Sequence, residues 1–200
     1  MKFPDPIDRA AVRILWKHLG LAEALRVGIR ITRRAADGEP FKHLPPAVGF
    51  KEIGSRAQAG PAILLLEELT RLGRPDAIQI TEECVTVGAV LFLGQSIGRI
   101  DRAALAGMAP DEQKAWLEQV SGKFPNATMT WDEISADRVK FTIRSCRLHT
   151  LAVQSGHPEL APLFCKGDGA FFSGEGVSLE RPGTLANGAD SCPFTLTFAD

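Results

Sequence analysis

The spacing of apolar residues changes at Asn126. Ahead of it they recur at helical intervals, whereas "ATMTWDEI" and "DRVKFTIRSC" after it alternate on a period of two. These periods specify different elements, so the chain is expected to fold as α+β. Residues 1–125 should be mainly helical, and residues 126–200 should form an antiparallel sheet with short helices. With 200 residues the chain is expected to form one domain that buries a core without staples.

Within the helical part, "DRAAVRILWKHLGLAEALRVGIRITRRA" reads as two helical segments from Asp8 with a pause at Gly20, and "DGEPFKHLPPAVGF" as a loop. "SRAQAGPAILLLEELTRLG" reads as a helix capped by Ser55 and stopped at Gly73, with Pro61 as an alternative first turn. The next stretch, "RPDAIQITEECVTVGAVLFLGQSIGRIDRAAL", is two-sided. Ile78 to Thr81 favour a strand, while its length and apolar middle favour a long helix. Its run from Val85 to Gly94 is too short to span a bilayer and is expected to be a buried helix. "APDEQKAWLEQVSGKF" is amphipathic, with Asp111 near its start and Trp116, Leu117 and Val120 on one face. Beyond Asn126, "SADR" suits a hairpin turn, and "RLHTLAVQSG" and "PELAPLFC" read as short helices. "GVSLERP" and "PFTLTFA" are the remaining strands.

Composition removes several classes of function. The formal charge is −1 and the pI about 6.4, so no basic field draws the chain to nucleic acid or an anionic membrane. "MKFPDPIDRA" has no apolar signal core, and a cytoplasmic protein is expected. Four widely spaced cysteines without a CxxC pair are expected to be free thiols, with Cys84 a small buried hydrophobe. "GDGAFF" fails the dinucleotide fingerprint because Phe172 stands at the third glycine, and there is no P-loop. Arg26, Arg30, Arg33 and Arg34 share a helical stripe that reads as a solvated face rather than a phosphate site. His18, His43, His149 and His157 show no paired ligand spacing and read as surface or core residues.

The chemistry-bearing residues gather towards the C-terminus. In order they are Cys146 after "TIRS", then "GHPELAPLFCKGD", "LERPGTLANGAD" and "GADSCPF". This order resembles the L-2-amino-thiazoline-4-carboxylic acid hydrolase family over about the last sixty residues. That resemblance implies hydrolysis of a small heterocycle, here a cyclic isothiourea opened to an N-carbamoyl amino acid. On the residues themselves, Asp168 suits a protonated amidine or the attacking water. Cys165, three residues earlier, is a candidate nucleophile if its pKa is lowered. Arg147 or Arg181 suits the substrate carboxylate. A small-molecule substrate is the expected partner, with a homo-oligomer an open possibility.

The spacing also resembles the 4-vinyl reductase small-molecule-binding domain. In its sensor forms cysteines and a glutamate hold a structural zinc. Carried over, the metal ligands would be Cys165, Glu180 and Cys192, with Cys146, Asp168 or Asp190 as a fourth. Gly183 stands where another cysteine would be expected. This second resemblance implies a non-catalytic binding module instead of a hydrolase.

Overall fold

The computed structural model describes residues 5–98, 103, 107–135 and 137–198. The first four residues, most of "GRIDRAAL", Ala136 of the hairpin turn and the last two residues lie outside the described residues.

Helices α1 (Pro6–Leu19) and α2 (Leu21–Ala36) meet at Gly20, whose φ of 76° makes it the sharp break between them. Asp5 caps α1 by accepting from the Asp8 amide at 2.8 Å. The third helix, α3 (Gly49–Arg71), starts a turn and a half before the expected cap at Ser55. Ser55 is fully buried in its interior, with its hydroxyl donating back to the Lys51 carbonyl at 2.7 Å. Pro61 also sits inside α3, so neither residue marks its start.

The two-sided stretch resolves as one helix, α4 (Ala77–Ile97). Length wins over the β-branched start, because a helix satisfies its own backbone over many residues while a strand needs partners. It is not the buried helix expected. Only 22% of its most apolar 18-residue window is buried, and by length and mean hydropathy (1.4) it matches a membrane-crossing helix. The open surface belongs largely to a cavity wall described below. Helix α5 (Pro110–Gly122) then buries Leu117 and Val120.

The second part begins with the expected hairpin, β1 (Ala127–Ile134) and β2 (Arg138–Cys146). Next come α6 (Arg147–Gln154), a short 3₁₀ turn, α7 (Ala161–Gly174), β3 (Val177–Glu180) and β4 (Cys192–Phe198). The four strands make one antiparallel sheet in the order β1-β2-β4-β3. The chain is thus α+β, helices first and the antiparallel sheet after. Cys192, Phe194, Leu196 and Phe198 are all buried while Pro193 and Thr197 are exposed, so the period of two in β4 sets its inner face.

Two buried clusters result. One joins α1 to α4 with α6 and the start of α7 through residues such as Val27, Ile63, Leu69, Ile80 and Leu151. The other joins the inner face of the sheet to Leu93 of α4 and Phe171 and Phe172 of α7. The arginine stripe on α2 is less solvated than expected. Arg34 pairs with Glu39, Glu67 and Glu68, and Arg30 lies 3.7 Å from the buried Glu68.

Candidate functional site

Helix α7 runs straight through "CKGDGAFFSG", beyond Cys165, where the short helix read from "PELAPLFC" ends. The reason is contact with α4. A Cβ on Gly167 would lie 2.2 Å from the Cβ of Ala89, so only glycine lets the two helices approach this closely. Gly167 therefore serves helix packing. Its effect on Asp168 is to hold that residue in mid-helix at the wall of a cavity.

The cavity has a volume of about 690 Å³ and lies between the helices and the inner face of the sheet. Ile7, Ala11 and Leu15 of α1 line it, as do Val85, Ala89 and Phe92 of α4. The sheet contributes Met129, Trp131, Val139, Phe141, Phe194 and Leu196. Among the described lining residues Arg181 is the only Lys, Arg or His.

Asp168 and Arg181 form the polar centre. Arg181 Nη1 donates to Asp168 Oδ2 at 2.7 Å, and Nη2 donates to the Cys165 carbonyl at 2.8 Å. The guanidinium carbon stands 5.0 Å from the centre of the Phe194 ring, a cation–π contact that fixes the third side of the group. Asp168 Oδ1 has no hydrogen-bond partner among the described residues. Burial raises the Asp168 pKa from 3.8 to about 6, against the opposing pull of Arg181. The side chain keeps 28% of its surface, and that surface faces the cavity. It is thus a carboxylate poised to take a proton near neutral pH.

Three cysteines share this end. Cys146 at the end of β2, Cys165 one turn before Asp168, and Cys192 at the start of β4 all line the cavity. The cavity is common to all three, but their chemistry is not that of the nucleophile expected at Cys165. Burial pushes the Cys165 thiol up to about 12, and its sulfur donates to the Ala161 carbonyl at 3.7 Å. The condition for a thiolate nucleophile, a lowered pKa, is not met. Burial also raises Cys146, although the Leu148 and His149 amides at the start of α6 pull the other way. The Cys192 sulfur accepts from the Leu185 amide at 3.2 Å.

The residues do not fit the zinc that the second resemblance would imply. Glu180 and Asp190 are exposed and absent from the cavity wall. Among the described residues no three His, Cys, Asp or Glu groups are arranged to hold a metal ion. A closed tetrahedral site needs four ligands, and with Glu180 and Asp190 off the cavity wall that set is not assembled.

Arg147 is a second correction. It lies outside the cavity, where its Nε and Nη2 hold both oxygens of Glu52 at 2.7 and 2.8 Å. Arg147 and Arg56 together hold the Glu52 carboxyl down to about 2. Arg147 thereby ties α6 to α3, leaving Arg181 as the cation of the site. One residue escaped the sequence reading altogether. Asn126 lines the cavity with its Oδ1 buried and without a partner. Its backbone carbonyl accepts from the Arg147 amide at 2.7 Å, which anchors it beside the end of β2. The only signal was its place at the change of period.

No curated protein and no solved structure matches the chain. A family model described as L-2-amino-thiazoline-4-carboxylic acid hydrolase matches residues 55–196, which takes in most of α3, then α4 and α5, as well as the C-terminal motifs. The match covers more than half of the chain and every residue of the Asp168–Arg181 centre. The chain belongs to the L-2-amino-thiazoline-4-carboxylic acid hydrolase family.

Proposed function

We propose that the protein hydrolyses a cyclic isothiourea of the 2-amino-thiazoline-4-carboxylate type to an N-carbamoyl amino acid. The observation that carries this reading is Asp168, a cavity-facing carboxylate with a pKa near 6 and one oxygen free. Its free oxygen takes a proton from water as that water adds to the carbon between the two nitrogens and the sulfur. The tetrahedral carbon then collapses with cleavage of the C–S bond. The proton taken by Asp168 passes to the ring nitrogen, the proton left on the added oxygen passes to the departing sulfur, and the new C–O bond becomes the carbonyl of a urea. Arg181 keeps Asp168 oriented, and its guanidinium retains N–H groups for the substrate carboxylate beyond the two it already uses. Raised thiol pKa values at Cys146 and Cys165 support attack by water over attack by sulfur.

The test is turnover of 2-amino-thiazoline-4-carboxylate by the purified protein, followed through the thiol and the N-carbamoyl group that appear together. Asp168→Asn should lower kcat/KM by about 10²–10⁴ with the fold kept. Near-normal turnover in that variant removes Asp168 from the mechanism. A second reading is a non-catalytic small-molecule-binding module, favoured by the apolar character of most of the cavity wall. Tight binding of heterocycles with no hydrolysis of any would select it.

A further inference from the structure

The chemistry above uses one end of the cavity. A volume of about 690 Å³ falls in the class that encloses a drug-sized ligand, and a single thiazoline ring fills only part of it. Close packing is the rule in protein cores, and voids larger than a water molecule are few. A space this large between two packed clusters calls for an occupant of matching shape.

Asp5, Asp8, Gln58 and Gln113 also line the wall, and the strand β4 gives the space beside the site a direction. Asp168, Arg181 and Asn126 stand with Cys146 and Cys192 at one end. From Cys192 the wall continues along β4 as Phe194, Leu196 and Phe198, the last about 20 Å from the first by strand rise. Val139 and Phe141 of β2 run beside them. Two acceptors stand open at the polar end. Asp168 Oδ1 and Asn126 Oδ1 have no partners among the described residues, while Arg181 spends only two of its N–H groups, on Asp168 and on the Cys165 carbonyl. A head that supplies N–H groups suits these two acceptors, which a head with an anion alone leaves unpartnered.

We propose that the cavity takes an amphipathic ligand, with an isothiourea- or amidine-type head at Asp168 and Asn126 and a long apolar chain running along β4 toward Phe198. The nature of the head rests on the reading under Proposed function, whereas the chain rests on the cavity alone. Leu196 and Phe198 then set chain length, and the substrate is a larger, more apolar isothiourea than the family description names.

Calorimetric titration of the intact protein with S-methyl-, S-hexyl- and S-dodecylisothiouronium, each below its aggregation concentration, tests this. The expected result is affinity rising roughly two- to fourfold per methylene between the methyl and hexyl compounds. Dodecanoate, with a chain of similar length and an anionic head, should bind at least tenfold more weakly than S-dodecylisothiouronium. Leu196→Trp should weaken the dodecyl compound at least tenfold and leave the methyl compound unchanged. An affinity independent of chain length in the unmodified protein overturns the proposal. So does equal binding of dodecanoate, or a chain-length dependence untouched in both Leu196→Trp and Asp168→Asn. Thiazoline turnover is measured separately on the same preparation. A flat series with turnover intact overturns only this proposal, and a rising series with no turnover overturns only the hydrolase reading.

Discussion

Asp168 is pulled two ways, and the balance sets the pH at which it can act. Burial raises its pKa and Arg181 lowers it, with the result near 6. As a base it must be ionised, so kcat/KM is expected to fall about tenfold per pH unit below roughly 6 and to level off above it. The linkage to stability has the opposite sign. A folded-state pKa raised from 3.8 to about 6 means that the folded chain binds the proton more tightly, so Asp168's contribution falls as pH rises through that window. Arg181→Gln removes the opposing cation, and the acid limb of the rate profile should move to higher pH. A limb that stays in place would show that another group titrates there. Cys165→Ser separates the thiol from the mechanism. With its pKa near 12 and its sulfur turned to the Ala161 carbonyl, Cys165 should be dispensable, and the Ser variant should keep turnover within about tenfold. A loss as large as that of Asp168→Asn would restore the thiolate mechanism.

The placement of α7 against α4 decides where Asp168 points. The two helices meet at Gly167 and Ala89, and a methyl group on Gly167 has no room there. Gly167→Ala should destabilise the fold by about 1–3 kcal/mol, the usual cost of overpacking. Ala89→Gly in the same chain should recover much of that loss, since it removes the atom in the way. Urea unfolding of the single and double variants checks this, and strict additivity would deny the contact. The same contact explains why α7 was not legible. Glycine in a sequence reads as a breaker, and nothing in "CKGDGAFF" announces that a partner helix makes it useful. Ser55 and Pro61 misled for a related reason: cap and first-turn residues also occur inside a helix when its neighbours accept them. The strands were legible because alternation is local. Phe194, Leu196 and Phe198 carry it in their own spacing.

At the scale of the molecule, the order of helices and sheet followed from the change of period at Asn126; of the C-terminal motif residues, Cys146, Cys165, Asp168, Arg181 and Cys192 line one cavity, while Glu180 and Asp190 do not. The cavity itself was not legible, because a space between elements belongs to no single element's pattern. Arg147 shows the same limit, since only its distance to Glu52, 95 residues away in sequence, removes it from the site. The walls come from both buried clusters: α1 and the middle of α4 on one side, and the inner sheet with Phe172 on the other. A ligand spanning the cavity therefore touches residues of both clusters. Binding only the folded chain, S-dodecylisothiouronium at a hundred times its dissociation constant should add about 2.7 kcal/mol to stability. For a chain of this size that corresponds to a rise in Tm of roughly 5–10 °C. Because both clusters line the cavity, amide exchange should slow in β4 and in α4 alike. Protection confined to β4 would place the ligand on the sheet alone and would separate the cavity's two walls.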